Sequence, residues 1–218
     1  VAAAGATLQA SSAAVQAYSG AQPGLYGGTR QNAVCNVQQM IDYLVANPSI
    51  AGAWVVAQNA DPTLRFDKGV LTVADLPAYI ATLTPLILLQ DTRVTMSGYK
   101  NGQPTPHQSV LQKGGAVLVD KYGVPRAKCY CGNPLTAPEP ATVAPIYVGP
   151  AWPDFNPAVV AVVTPSPNPI NIFVTINIAN GQTYNVPAGN NATPSAPSPV
   201  ADTQSTTPPG AISDAEVI

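Results

Sequence analysis

The sequence is poor in charged residues. Asp, Glu, Lys and Arg make up 9% of its 218 residues, against roughly 25% in an ordinary soluble domain. All nine Lys and Arg lie between Arg30 and Lys128, whereas residues 129–218 hold five acidic residues and no basic one. No basic stripe with interleaved aromatic side chains is present, so the sequence predicts no nucleic-acid binding.

Long apolar runs are also missing. The longest candidates, AVVAVV (158–163) and PLILL (85–89), fall well short of the ~20 residues that span a bilayer, so we expect no transmembrane segment. The chain begins VAAAGATLQA without Met and carries no charge before Arg30. Such a beginning is typical of a protein released by signal-peptide cleavage, which predicts an extracellular or cell-envelope location.

Cysteine and histidine are scarce: the chain has Cys35, Cys129, Cys131 and a single histidine, His107. A zinc site usually needs four Cys or His ligands in paired spacing, and a redox C-x-x-C is absent, so we expect no metal and no cofactor. A structural disulfide in an oxidising compartment fits the pattern better. Residues i and i+2 of a strand share a face, so both late cysteines face Cys35. We predict the pair Cys35–Cys131, with Cys129 as the alternative partner.

No set of residues predicts a reaction. His107 lies close to Ser109, but the G-x-S-x-G nucleophile elbow is absent, and we interpret His107 as a loop or turn residue. The carboxylates are scattered singly. Asp91 is two residues from Arg93 and is interpreted as an ion pair or a turn cap. We therefore predict no catalytic residues.

The segment PAWPDFNP (150–157) is an aromatic, proline-rich loop. Trp152 and Phe155 are candidates for stacking on a sugar ring, as aromatic side chains do in carbohydrate sites. Aromatic loops more often pack over a sheet edge, so both interpretations stay open.

Helical and strand patterns occupy different parts of the chain. NVQQMIDYLVANP (36–48) has apolar residues at helical spacing behind a plausible N-cap, Asn36, and two further helical patterns follow. Later segments alternate, with Asn101-Gly102 and Asn180-Gly181 as hairpin turns. The sequence predicts an α+β fold, in which helices at about 36–83 pack on an antiparallel β-sheet or small barrel at about 86–187.

The predicted organisation has three parts. Residues 1–21 form an extended N-terminal segment, residues 22–189 a single α+β domain, and residues 190–218 a tail rich in Pro, Ser and Thr. The tail has too little apolar content to fold alone, so we expect a neighbouring chain to order it, either another copy in a homo-oligomer or an envelope protein.

Four segments have a specific sequence pattern: GLYGGTR (24–30), YIATLTPLILLQDTRVT (79–95), SVLQKGGAVLVDKYGVPRAKCYCGNPL (109–135) and FNPAVVAVVTP (155–165). Together they resemble an actinobacterial family of secreted or lipid-anchored proteins whose shared domain has no known function. The resemblance implies an extracytoplasmic setting and the same three cysteines, and it implies no activity. Where family members tend to read DTRVTNHG, this chain has DTRVTMSG (91–98) and so lacks the histidine.

Two functions remain open at this point. The sequence favours a non-enzymatic structural or interaction protein of an actinobacterial cell envelope or extracellular assembly, because charge is low and no catalytic set is present. The alternative is a glycan-binding module or an enzyme that acts on wall glycans, which rests only on the aromatic loop and on the predicted cell-envelope setting.

Overall fold

The computed structural model describes residues 16–29, 35–141, 145–189 and 215–217. Within these residues, α-helices lie at Val37–Ala46 (α1), Pro48–Asn59 (α2) and Leu76–Ala81 (α3), and a 3₁₀ turn lies at Pro157–Val159. The strands are Gln16–Ser19 (β1), Tyr26–Gly28 (β2), Thr84–Leu88 (β3), Thr92–Lys100 (β4), Gln103–Leu111 (β5), Ala116–Val119 (β6), Pro125–Lys128 (β7), Leu135–Thr136 (β8), Tyr147–Val148 (β9), Ala161–Thr164 (β10), Ile172–Asn177 (β11), Thr183–Pro187 (β12) and Ala215–Val217 (β13).

The strands form two mixed sheets. In the first sheet the order is β1-β10-β4-β5-β13-β9, and β8 also pairs with β4. In the second sheet the order is β12-β11-β2-β3-β6-β7. Most neighbours are antiparallel, but β10 is parallel to both β1 and β4, and β2 is parallel to β11. Each sheet therefore joins strands from the two ends of the chain.

The predicted α+β class, with helices at about 36–83 on an antiparallel sheet or barrel at about 86–187, is wrong. The described part is mostly β-sheet, with 36% strand against 19% helix, and its helices lie mid-chain. Strands β1 and β2 precede the helices and pair with β10 and β11. They have only four and three residues, too few to show alternation, and parallel pairing of distant segments leaves no hairpin signal in the sequence.

Strand β6 separates two hydrophobic cores. Val117 and Val119 point into the core between the two sheets, where they meet side chains such as Leu86 and Val94. Leu118, between them, packs with the helices on the other face. Val117, Leu118 and Val119 are each 0% exposed. A strand covered on both faces needs a continuous apolar run, which is what the sequence AVLV provides.

The helices pack against the second sheet through Leu118 of β6 and Ala127 of β7, and α2 also contacts β4, β5 and β8 of the first sheet. Helix α1 buries Val37, Met40 and Leu44, the positions that a period of 3.6 residues places on one face. The Asn36 side chain accepts a hydrogen bond from the Gln39 backbone N–H at 3.0 Å and caps the helix. The first predicted helix and its N-cap are confirmed.

Both predicted hairpins are confirmed as well. Asn101 and Gly102 connect β4 to β5 with φ angles of 51° and 79°, as a two-residue turn with two positive φ angles requires. Asn180 and Gly181 lie in the turn between β11 and β12, and Gly181 has φ of 71°. Turn chemistry is local, so the sequence alone locates these two connections.

Gly20 and Gly123 bring two distant segments into direct backbone contact. Gly123 lies in the β6–β7 turn with φ of 82°, and a Cβ there would overlap the backbone of Gly20. A Cβ on Gly20 would in turn overlap the carbonyl of Tyr122. The buried Tyr26 hydroxyl donates to the Gly123 carbonyl at 2.6 Å. The connection between β1 and β2 is thereby fixed against this turn.

We expect Gly123→Ala to lower the free energy of unfolding by about 3 kcal/mol, since the left-handed backbone costs ~1 kcal/mol and steric overlap adds ~2 kcal/mol. Gly114→Ala is the matched control, because Gly114 has φ of 89° and open space around its Cβ position. It should cost only about 1 kcal/mol. Urea unfolding of both variants measures the difference, and equal losses would contradict the close approach.

Candidate functional site

Trp152 and Phe155, the candidate stacking residues, belong to a packed aromatic cluster. Trp152 is 7% exposed, and its indole N–H donates to Asp91 Oδ2 at 3.1 Å. Its ring centroid lies 4.8 Å from that of Phe155, which lies 5.3 Å from the ring of Tyr147 in β9. These edge-to-face contacts favour packing over the sheet. The stacking hypothesis stays a prediction and depends on Phe155, whose side chain is partly exposed.

Asp91 caps a turn and does not pair with Arg93. Its Oδ1 accepts a hydrogen bond from the Lys113 backbone N–H at 2.8 Å, while Oδ2 accepts from the Trp152 indole. The guanidinium of Arg93 donates instead to the carbonyl of Glu139 at 2.9 Å. Of the two interpretations of Asp91, the structure shows the turn cap.

The lone histidine lies in a strand, not in a loop or turn. His107 is part of β5, and its Nδ1 is 3.3 Å from the Thr105 carbonyl oxygen. The turn interpretation is wrong because the hairpin turns earlier, at residues 101–102. Ser109, in the same strand, is 1% exposed. Within the described ranges, no group of three or more His, Cys, Asp or Glu side chains is placed to hold a metal ion.

Arg126 is fully buried between two aspartates. Its Nη1 lies 2.6 Å from Asp61 Oδ2, and its Nε lies 2.7 Å from Asp120 Oδ2. Its Nη2 donates to the Thr63 carbonyl at 2.9 Å. Burial acts to lower the pKa of Arg126, but nearby negative charges, including those of Asp120 and Asp61, outweigh it, so the pKa is raised. The guanidinium therefore stays charged, and each of its three nitrogens donates a hydrogen bond.

The two carboxylates also hold the backbone around them. Asp61 Oδ2 accepts from the Ala137 N–H at 2.8 Å, which ties the end of α2 to the residue after β8. Asp120 Oδ1 accepts from the N–H groups of Tyr122 and Val124 at 2.8 and 3.0 Å, which closes the β6–β7 turn. Because these groups are buried and paired, the arrangement is structural and presents no reactive atom to a substrate.

We expect Arg126→Met to lower the free energy of unfolding by about 3–5 kcal/mol, because it leaves two buried carboxylates without their cation. Lys121→Met is the control: Lys121 pairs with Asp67 at 2.7 Å but is partly exposed, and its loss should cost less than about 1 kcal/mol. Urea unfolding at neutral pH compares the two. A loss below about 1 kcal/mol for Arg126→Met would show that the network is dispensable.

The structure contains a disulfide between Cys35 and Cys129, whose Cα atoms are 5.4 Å apart. The prediction of a disulfide is confirmed, but the favoured partner, Cys131, is wrong. Strand β7 ends at Lys128, and the next residues form a turn closed by a 2.9 Å hydrogen bond from the Gly132 N–H to the Lys128 carbonyl. The same-face rule for strands does not hold in a turn, so Cys131 is exposed as a free thiol.

Peptide mapping without reduction should recover a peptide pair linked through Cys35 and Cys129, with Cys131 alkylated. The bridge spans 94 residues, so Cys129→Ser should cost about 4 kcal/mol of stability in the chain-entropy account. Cys131→Ser is the control and should leave the melting temperature unchanged. Recovery of a peptide linked through Cys35 and Cys131 would contradict the assignment.

A recess of about 170 Å³ lies beside Tyr79. The Tyr79 hydroxyl is buried without a hydrogen-bond partner among the described residues, and burial strongly raises its pKa. Phe66, Tyr122 and Arg65 also line the recess. Its volume is below the ~300 Å³ at which small-molecule sites begin, so it is not the main candidate site.

The main candidate site is the gap between β5 and β9, here called the strand slot, which β13 fills. Strand β13 is antiparallel to both neighbours, with Ala215 opposite Val110 of β5 and Glu216 opposite Val148 of β9. Within the described chain, β13 is the one strand that pairs with β9. An extended segment held by backbone pairing on both sides is the geometry of strand addition. The slot therefore holds an extended segment of the chain itself.

The predicted tail, residues 190–218, is described only at residues 215–217. These residues pair with strands of their own chain, and the expectation of an ordering partner for the remaining tail lies outside the described residues. Sequence reasoning did not find β13, since three residues at the end of a segment rich in Pro and Ser give no periodic signal. It also missed the Arg126 network. The signal available there was a basic residue in the otherwise apolar run GVPRA (123–127).

Comparison with known protein families matches residues 16–189 to a family described as a domain of unknown function. No curated protein and no solved structure matches the chain. The matched span contains every described helix and every described strand except β13. The strand slot thus lies inside the matched span, and the segment that fills it lies outside.

Proposed function

We propose that this chain, which belongs to the DUF6777 family by its match over residues 16–189, is a non-enzymatic interaction protein of an extracellular or cell-envelope assembly. It assembles with copies of itself or with an envelope protein through residues 190–218. The strand slot is the observation that carries the proposal. A sheet that takes up a terminal segment between two strands has the backbone groups needed to hold an extended partner chain.

The use of the buried polar groups supports a non-enzymatic role. Asp61 and Asp120 form ion pairs with Arg126, and Asp120 also accepts a hydrogen bond from a backbone N–H group. Asp91 accepts hydrogen bonds from the Trp152 indole N–H and from the Lys113 backbone N–H. A general acid or base needs an accessible atom within hydrogen-bond reach of a substrate. These buried carboxylates are instead committed to the fold.

The charge distribution supports a contact between the tail of one chain and the body of another. Residues 190–218 carry three acidic residues and no basic one, whereas all nine Lys and Arg lie between Arg30 and Lys128. An acidic segment and a basic half attract each other, weakly and in a salt-dependent way. This attraction favours assembly through the tail.

The proposed location rests on the disulfide and on the resemblance. The Cys35–Cys129 bridge fits an extracellular protein. No single described helix is long and apolar enough to cross a membrane; the bent pair α1–α2 meets that test by length and composition only. A cell-envelope setting in an actinobacterium is the finer part of the proposal, supported by the segments that resemble such proteins. The glycan-binding alternative rests on Phe155 and stays a prediction.

Deleting residues 190–218 should abolish assembly, because the proposed contact is made by these residues. Native mass spectrometry and sedimentation should find an oligomer or a partner complex for the full chain and a monomer for the truncated one. Circular dichroism serves as the check that the truncated protein is folded. A truncated protein that oligomerises as the full chain does would contradict the proposal.

A further inference from the structure

Strand β9 depends on the terminal segment for its place in the sheet. It consists of Tyr147 and Val148, and β13 is its strand neighbour among the described residues. Tyr147 is 5% exposed and packs with Val110 of β5 and with Trp152. If β13 were removed, the backbone groups of β5 and β9 that face it would lose their partners. Two strand edges with unpaired N–H and C=O groups are a template for another strand, so an empty slot favours the uptake of an extended segment.

The filling segment is not part of the domain that forms the slot. The family match ends at residue 189, and 25 residues, 190–214, separate it from β13. Both walls of the slot, β5 and β9, lie inside the match. The domain therefore takes its last strand from a separate segment, and pairing through backbone groups does not require that segment to belong to the same molecule.

A buried cation lies beside the slot. Arg93 of β4 is 6% exposed, stands opposite Val110 in the sheet, and has an Nε without a hydrogen-bond partner in the described part of the chain. Its charge acts on Tyr147, where it opposes the larger effect of burial, which raises the pKa of that hydroxyl. Among the described side chains, Arg93 donates only to uncharged acceptors. Glu216 stands opposite Ser109, one position away from the register that Arg93 shares with Val110, so the pairing of β13 rests on backbone groups and not on the charge of Arg93.

The strand that fills the slot lies in the sequence AISDAEVI (211–218). It carries two acidic residues, Asp214 and Glu216, and no basic one. Only three of its residues form the strand. So short a pairing contributes little free energy by itself, and a short strand can therefore exchange with an identical one.

We infer that the strand slot accepts residues 215–217 of a second copy of this chain, so that neighbouring molecules exchange their terminal strands. This inference deepens the proposed function and rests on it, since it names the occupant and the site of the assembly contact. A strand exchanged between identical chains forms the same hydrogen bonds as in one chain. At low concentration each chain fills its own slot, and at high local concentration exchange links the chains.

The test uses the full chain with Glu216→Pro, which lacks the backbone N–H that the middle residue of β13 contributes to the sheet. Gln204→Pro, in the tail but outside the paired residues, is the matched control. The Glu216→Pro chain should bind a synthetic peptide of residues 211–218 at one peptide per chain. Trp152 reports binding through its fluorescence, and the melting temperature should return to that of the control. The same peptide with proline in place of Glu216 should bind at least tenfold more weakly.

If Glu216→Pro unfolds the chain, the peptide should restore the folded spectrum, because it supplies the missing strand. A variant that the peptide neither binds nor refolds overturns the inference. Other results of the same experiments test the proposed function. If the peptide binds but the wild-type chain stays monomeric up to millimolar concentration, the slot takes up the segment of its own chain only, and both the exchange and the assembly role are wrong. If the wild-type chain assembles and the peptide does not bind, assembly uses another surface.

Discussion

The fold depends on the burial of one cation, Arg126, between Asp61 and Asp120. A chain with so few charged residues can form few ion pairs. This cluster connects the end of α2, the β6–β7 turn and the residue after β8. These ion pairs and hydrogen bonds fix the relative position of the segments, because they have a direction that apolar packing lacks. A buried ion pair adds little net stability compared with apolar side chains of similar volume. An arrangement that leaves one of the buried charges unpaired is, however, strongly destabilised. The cluster therefore disfavours packings that would separate Arg126 from either carboxylate.

Local features of the fold follow from the sequence, and long-range ones do not. Helix α1 and its Asn36 cap are predictable because periodicity and capping lie within a dozen residues. The Asn101-Gly102 turn is predictable because two adjacent residues determine it. The parallel pairing of β2 with β11 joins segments without a turn between them, so no local pattern reveals it. The predicted fold class was wrong for this reason.

The candidate site shows the same division. A disulfide was predictable from three cysteines, but its partner was not, because the choice depends on where β7 ends. Trp152 was identified as notable in the sequence, yet only the structure shows its indole bonded to Asp91. The strand slot was beyond prediction, since its walls are distant in sequence and its occupant is three residues long. Backbone pairing leaves almost no trace in side-chain composition.

The pairing of early strands with late ones also sets the order of folding events. Gln16 of β1 stands opposite Ala161, and Gly27 of β2 stands opposite Ile176. Neither pairing can form until nearly the whole domain has left the ribosome, which at about 5–20 residues per second is a delay on the order of ten seconds. Such non-local contacts also make folding intrinsically slow. The nascent chain therefore has unpaired strand edges at first, whereas local elements between them, such as α1 and the β4–β5 hairpin, can form before the ends pair.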